Sequence, residues 1–249
     1  MAHQEPGGAV VLAAGVGSRL RSAYSGAKWL LPVNGQVLGD RQLRALRRAL
    51  PDGSPIFVVA GHAATDVVSF GSCQSGVEVL VNHNYDKFNN WYSLLIALRH
   101  LDFLGDDSPV LVMNSDLLCP GSWVEEFARV VSRTSADCVL AVDVQRRLTD
   151  EAMKVGMVDG DVALLAKEGI DEPIGEFLGL SALSASGRAA VHRALEAMEY
   201  RDEDGWYECA YESALLAGSE GLVWKTPHTR WIEIDDTEDL AAAWLLANA

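Results

Sequence analysis

The stretch Gly8-Ala9-Val10-Val11-Leu12-Ala13-Ala14-Gly15-Val16-Gly17-Ser18-Arg19-Leu20 decides how this chain folds. Gly8–Ala14 is an unbroken apolar run that reads as a strand, and it delivers the chain into the glycine-containing segment Gly15–Gly17. Small residues and two glycines let backbone N–H groups approach an anion with no side chain in the way. Arg19 and, beyond Gly26-Ala27, Lys28 add positive charge around the same turn. Two familiar phosphate loops are excluded. No Gly-Lys-Ser/Thr ends the segment, as a Walker A loop requires. Leu20 holds the third glycine position of the dinucleotide fingerprint, and the second strand ends in Ala60-Gly61 rather than an acid.

Outward from that loop, short apolar runs alternate with helix-length amphipathic ones, the signature of an α/β sheet. Val37–Leu50 sets Leu43, Leu46 and Leu50 at helical spacing, with Arg44, Arg47 and Arg48 outside. Strands are expected at Ile56–Ala60, Val77–Val81, Val110–Met113 and Cys138–Val144, with helices at Ala63–Phe70, Trp91–Leu101 and Trp123–Ser132. Near residue 150 the rhythm changes. Met153–Val158 and Val162–Lys167 flank Asp159-Gly160, a hairpin-turn dipeptide. A strand at Phe177–Ala182 follows, then helices at Ser184–Glu199 (capped by Ser184 or Ser186) and Tyr207–Ala217. Short strands at Leu222–Lys225 and Trp231–Ile234 precede a closing helix, Thr237–Asn248. Without repeats or long linkers, the expectation is one domain over 1–249. About 1–145 would be a nucleotide-binding half, about 146–230 an insertion and 231–249 a closing strand and helix.

Charge narrows the partners. The chain of 249 residues has 20 basic and 35 acidic side chains, net −15. Residues 1–50 carry a local +5 and the rest −20. So negative a body repels polyanions, which argues against nucleic acid and anionic membranes, while a basic first fifth suits a small, multiply charged anion. No run approaches the ~20 apolar residues of a membrane helix. The first residues lack a basic segment and are not expected to act as a signal peptide. Cys73, Cys119, Cys138 and Cys209 form no Cys-x-x-Cys pair, so a reduced, cytoplasmic protein without structural zinc is expected.

With these residues in place the chain resembles the nucleotidyltransferases that join a nucleoside triphosphate to a phosphorylated small molecule. Their signature is an apolar strand, Ala-Ala-Gly-x-Gly-Ser/Thr-Arg-Leu and a later lysine; here Ala27 stands where Pro is common before Lys28. Val58-Val59-Ala60-Gly61-His62 is similar to the second-strand motif. Asn114-Ser115-Asp116 is similar to the strand-end Asp motif, and Glu233–Leu240 to the closing strand-to-helix motif. Asn89-Asn90-Trp91-Tyr92-Ser93 resembles the Asn-Asn-x-x-Ser segment of the phosphocholine and phosphonate cytidylyltransferase branch. Glu151–Val155, Lys167, Gly175-Glu176 and Gly179 resemble the hairpin and return strand of that branch and of its sugar-phosphate relatives. The implied fold is α/β: a three-layer, Rossmann-like, mostly parallel sheet whose small β-hairpin and helical insertion forms the acceptor side.

The resemblance implies that the backbone of Leu12, Ala13, Ala14, Gly15, Val16, Gly17 and Ser18 holds the triphosphate. Arg19 and Lys28 would be catalytic, and Gly61, Asn90 and Ser93 would line the nucleotide pocket. Asp116 lies just past an apolar strand at the carboxyl edge, where α/β sheets bind ligands, and Asp235 follows a second short strand. Two carboxylates from separate strand ends can hold one Mg²⁺. Asp236 and Asp239 would cap the last helix, an alternative that Asp235 shares, and Asn89 or Asn90 would be an equally good N-cap. Many relatives carry Asp where this chain has Asn114, so one metal ion is expected rather than two.

For the acceptor, Trp91, Tyr92, Trp206 and Tyr207 beside Glu208 and Glu212 suit a cationic head group or ordinary core packing. Lys154 and Lys167 are expected on the acceptor's phosphate or in solvent. The expected reaction is cytidylyl transfer from CTP to a phosphorylated or phosphonate small molecule, with release of pyrophosphate. The rivals are the same chemistry on a sugar 1-phosphate with UTP, dTTP or GTP, and a nucleotide-binding regulatory module without catalysis. A homodimer is left open.

Overall fold

The computed structural model describes residues 4–104, 107–158, 160–201, 205–227 and 230–246. Strand β1 (Gly8–Ala13) is buried along its whole length, as its unbroken apolar run predicts. Ala9, Val11 and Ala13 face one hydrophobic cluster and Val10 and Leu12 another, because successive side chains of a strand point to opposite faces. β1 pairs in parallel with β2 (Ile56–Ala60), and β2 with β3 (Val77–Val81). On its other side β1 pairs in parallel with β4 (Val110–Asn114), Leu12 standing opposite Asn114. The strand order therefore reverses between β1 and β4. In open α/β sheets that switch point opens a crevice at the carboxyl ends of the strands.

The later strands extend the same sheet. β5 (Cys138–Asp143), the hairpin β6 (Lys154–Val158) and β7 (Asp161–Ala166), and the return strand β8 (Gly175–Leu183) are joined by β9 (Gly221–Lys225). The order runs β7-β6-β8-β4-β1-β2-β3, with β5 hydrogen-bonded along β8 and β9 along β5. β8 is antiparallel to both β4 and β5, and its start also meets β6, where Glu176 pairs with Lys154. A register shift between Phe177 and Ser181 contains Gly179 at φ +71°. A Cβ there would overlap the Asn114 side chain, so glycine at 179 makes room for Asn114 at the crevice.

Helices cover both faces. α1 (Leu38–Ala49), α2 (Ala64–Ser72) and α4 (Gly121–Val131) pack against one cluster with Trp29. α3 (Asn90–Leu104), α5 (Ala185–Arg201) and α6 (Tyr207–Leu216) pack against the other. Ser184 caps α5, its Oγ accepting the Gly187 N–H at 3.0 Å. A smaller cluster of Leu20, Leu31, Val33, Leu38, Leu118, Ile234 and Ala243 ties the loop after β1 to α7 (Thr237–Leu246). A two-residue antiparallel ladder, Leu117–Leu118 with Ile232–Glu233, returns the chain to the crevice. The expected elements all appear with ends moved by a few residues, since caps rather than hydrophobic spacing set the ends. Asp159 of the hairpin turn and the last residues of the expected closing helix lie outside the described residues. No helix among the described residues is long and apolar enough to cross a membrane.

Candidate active site

β1 ends by releasing the chain into the segment Ala14–Gly17, and Gly17 adopts φ +59°. A Cβ at that position would stand 3.0 Å from Lys28 Cγ. Glycine thus permits both the left-handed turn and the close passage of the Lys28 stem. Short 3₁₀ turns at Ser18–Leu20 and Lys28–Leu30 then carry Arg19 and Lys28 back to the crevice. Lys28 Nζ donates to Asp116 Oδ2 at 3.1 Å and also to Asp235 Oδ1, while Arg19 Nη2 donates to Asp235 Oδ2 at 2.7 Å. Four residues spread over the chain converge within hydrogen-bond reach.

The electrostatics follow from that convergence. Burial works against the Lys28 ammonium, yet the charges of Asp116 and Asp235 and hydrogen bonds to both prevail, so its pKa is raised. Burial works against the Asp235 carboxylate too, and Lys28 and Arg19 prevail, so its pKa is lowered. Asp235 is not the helix cap. Asp236 Oδ1 accepts the Glu238 and Asp239 N–H groups at 2.8 and 3.0 Å, and Asp239 Oδ2 reaches back to the Asp235 and Asp236 N–H groups at 3.0 and 3.2 Å. That reciprocal box leaves the Asp235 carboxylate to the crevice. Asp116 is fixed by its carbonyl, which accepts the Ile234 N–H at 3.1 Å, and its Oδ1 is buried with no hydrogen-bond partner.

Beside these charges lies a cleft of about 280 Å³ lined by Leu12, Ala14–Gly17 and Lys28 on one side. Asn82, Tyr85, Phe88, Asn89, Asn90 and Ser93 form another wall, and Asn114–Asp116 the floor. Ala13 points into the core, so only its backbone serves the loop, and Ser18 and Arg19 stand exposed at the mouth. Gly61 packs on Tyr85 and Ala14 just behind the wall. Asn82 Nδ2 donates to Ser93 Oγ at 3.0 Å, both buried. Asn89 Oδ1 accepts the Asn90 N–H at 2.8 Å at the start of α3. The Asn90 side chain does something else: its Oδ1 accepts the Tyr207 N–H at 3.0 Å.

A family model for the MobA-like NTP transferase domain matches residues 9–212. The chain belongs to that family. It is therefore a nucleotidyltransferase with the α/β fold of that class. A bifunctional IPC transferase and DIPP synthase of Rubrobacter xylanophilus is 31% identical over 239 residues, covering 94% of this chain and 50% of the relative. A protein of the same name from Archaeoglobus fulgidus is 31% identical over 163 residues, 64% of this chain and 29% of the relative. The chain thus spans about half the length of the first of these relatives and less of the second. Among solved structures, the inositol-1-phosphate CTP transferase from T. maritima superposes with TM-score 0.79 at 20% identity, covering 98% of this chain and 96% of the other. A CTP:phosphocholine cytidylyltransferase from Streptococcus pneumoniae superposes with TM-score 0.75 at 20% identity, covering 96% and 98%.

In this NTP transferase the residues expected on the acceptor side divide. Trp91 is fully buried, tilted against Phe88 and edge-on to Tyr92 with ring centroids 5.2 and 5.3 Å apart; it packs in the core and offers no face to a ligand. Tyr207 is likewise buried, packed edge-on against Tyr211. Glu212 Oε1 accepts the Leu165 N–H at 3.3 Å, which ties α6 to the hairpin rather than to a head group. Lys154 Nζ donates to the Lys167 carbonyl. Lys167 bonds Glu151 at 3.1 Å and lies 5.0 Å over the exposed Trp206 ring. Tyr92 is half-buried and keeps an edge toward solvent. These aromatic positions followed core packing because helix starts carry one face inward whatever the chemistry of the residue.

Two features of the site, Glu233 and Gln42, escaped the sequence reading, and a third, Glu208, was expected to face the acceptor but is buried. Glu233 stands two residues before Asp235, near enough to feel its charge and that of Asp116. Burial and the charges of Asp116, Asp235, Glu176 and Glu208 push its pKa well up. Glu208 is buried with an unpartnered Oε2 and is pushed up to about 7, chiefly by burial. Gln42 is a polar residue in the buried stripe of α1. Its amide donates to the carbonyls of Asn114 and Leu117 at 3.0 and 2.8 Å and accepts the Trp29 indole N–H at 3.1 Å. The spacing of Glu233 and the polar break in the α1 stripe were the available signals.

Proposed function

We propose that this NTP transferase is a cytidylyltransferase that condenses CTP with a phosphorylated small alcohol, giving a CDP-linked product and pyrophosphate. The observation that carries the reading is the convergence of Arg19, Lys28, Asp116 and Asp235 beside a cleft walled by neutral amides. An acceptor phosphate oxygen attacks the α-phosphorus in line; that P–O bond forms as the bond to pyrophosphate breaks. The substrate supplies its own nucleophile, so positioning and charge neutralisation do the catalysis. The backbone of Ala13–Ser18 with Arg19 holds the β- and γ-phosphates. Lys28 stands at the α-phosphate, where charge develops. Asn82, Asn90 and Ser93 offer the uncharged donors and acceptors that a pyrimidine edge needs.

Asp116 and Asp235 fit a Mg²⁺. Both are carboxylates at one point, Asp116 Oδ1 is buried without a partner, and a lysine ammonium already bridges the two. With two carboxylates to hold it, the ion would need water and phosphate oxygens to complete its shell. Bound there, the ion would neutralise triphosphate charge.

The acceptor side favours hydroxyls over a quaternary ammonium. A cation cage needs open aromatic faces. Trp91 and Tyr207 are buried, and Trp206 already carries Lys167. Inositol 1-phosphate, named in one similar structure, is therefore the first acceptor to try, ahead of phosphocholine, 2-aminoethylphosphonate and hexose 1-phosphates. The reading treats 1–249 as one domain. It places the reaction in the cytoplasm, in keeping with four cysteines none of which is in a disulfide. A pyrophosphate-release screen crossing four NTPs with these acceptors tests it. Release with CTP and inositol 1-phosphate is expected; release only with UTP, dTTP or GTP and a hexose 1-phosphate would overturn the assignment.

A further inference from the structure

Tyr207 is the first residue of α6, and it makes two hydrogen bonds to residues that line different parts of the cleft. Its main-chain N–H donates to Asn90 Oδ1 at 3.0 Å, and its hydroxyl donates to Asn114 Oδ1 at 3.1 Å. Asn90 opens α3 and lines one wall; Asn114 ends β4 and lines the floor next to Asp116. The ring between these two polar ends is fully buried and wedged against Phe177 and Tyr211. A rigid aromatic with both ends tied acts as a spacer of fixed length.

We infer that Tyr207 is a positioning residue for the nucleotide: it sets the distance between the α3 wall and the β4 floor, and so couples α6 to the cleft that binds the NTP. The inference rests on the nucleotide reading of that cleft. Two neighbours make the coupling specific. Asn114 is held from its other side as well, its carbonyl accepting the Gln42 amide, so a shift of the Tyr207 hydroxyl is passed to the Asp116 loop rather than absorbed. Gly179 gives the Asn114 side chain its space, so that side chain has one seat. Residues of α6 never touch the nucleotide in this scheme. Their docking decides whether its pocket has the right width.

The molecule contains its own control. Tyr211 lies one turn along the same helix, is equally buried, and hydrogen-bonds Ser181 Oγ at 3.0 Å, a residue that does not line the cleft. Tyr207→Phe and Tyr211→Phe each delete one buried hydroxyl and keep the ring. Binding of CTP with Mg²⁺ to the full chain is measured by calorimetry, beside the melting temperature. The two variants are expected to lose similar stability. Only Tyr207→Phe should weaken CTP, by about 10-fold, and a Tyr207→Phe/Asn114→Ala double variant should bind no more weakly than Asn114→Ala alone. Equal effects of the two phenylalanine variants on CTP, or full additivity with Asn114→Ala, would overturn the inference. Should the wild-type chain bind none of four NTPs, it is the nucleotide reading that fails. Hydrogen exchange in the ligand-free protein then decides separately: Tyr207→Phe must speed exchange at 89–93 and 114–117 while Tyr211→Phe does not, and unchanged exchange overturns the spacer.

Discussion

Lys28 and Asp235 are in direct hydrogen-bond contact although 207 residues of chain separate them. Asp116 joins the same ammonium, so a single cation holds two carboxylates that would otherwise repel. Replacing Lys28 with Met removes the charge and keeps most of the stem. Pyrophosphate release should fall by at least ~100-fold, the scale for losing a preorganised charge at a reacting centre. Single-turnover rates at saturating CTP would show it; a drop confined to CTP affinity would mean that Lys28 only binds.

Asp116→Asn and Asp235→Asn each keep shape and remove one negative charge from the pair. Both variants should need more Mg²⁺ for half-maximal turnover, and a chelator should stop the wild type reversibly. A magnesium titration of the three proteins checks this, and superimposable curves would remove these residues from the proposed metal site.

Gly17 at φ +59° predicts a position-specific cost. Gly17→Ala strains the backbone by roughly 1–2 kcal/mol and presses a methyl on the Lys28 stem. Activity should fall further than that stability loss explains, because the displaced group is Lys28. Comparing thermal midpoint with turnover separates the two contributions.

The buried Glu208 makes stability depend on pH. Its folded pKa of about 7 lies above the ordinary value of 4.5, so between those pH values the native state holds a proton that the unfolded chain releases. Stability therefore falls as pH rises through that window, by on the order of 3 kcal/mol. Glu233, also pushed up, acts in the same direction. Glu208→Gln stays neutral throughout. Its melting temperature should exceed that of the wild type by several degrees at pH 8 and converge with it near pH 5, as read by calorimetry at both pH values.

The fold was largely legible because its cause is local. An unbroken apolar run such as β1 has few alternatives to a strand buried on both faces, and Gly15–Gly17 after it has few alternatives to an open turn. Lys28 and Asp116 were legible because a charged residue beside such an element must sit at its end, where the crevice lies. Glu208 and Trp91 were not legible in the same way. Which side of a helix start turns inward depends on partners far along the chain, and Trp91 went to the core through Phe88 and Tyr92. Asn90 shows the limit most clearly. Its residue type suits a helix cap, but its side chain bonds a residue 117 positions later. No local spacing encodes that contact.

The ladder that pairs Leu117–Leu118 with Ile232–Glu233 has a consequence for the order in which the protein comes into being. As the chain leaves the ribosome, the loop after β1 and the strand end at Asp116 can assemble before Asp235, more than a hundred positions further on, has been made. The Asp235 carboxylate arrives only after that ladder zips, so a nascent chain can be well folded and still inert. Chemistry waits until a pairing of two residues on each side brings in that charge.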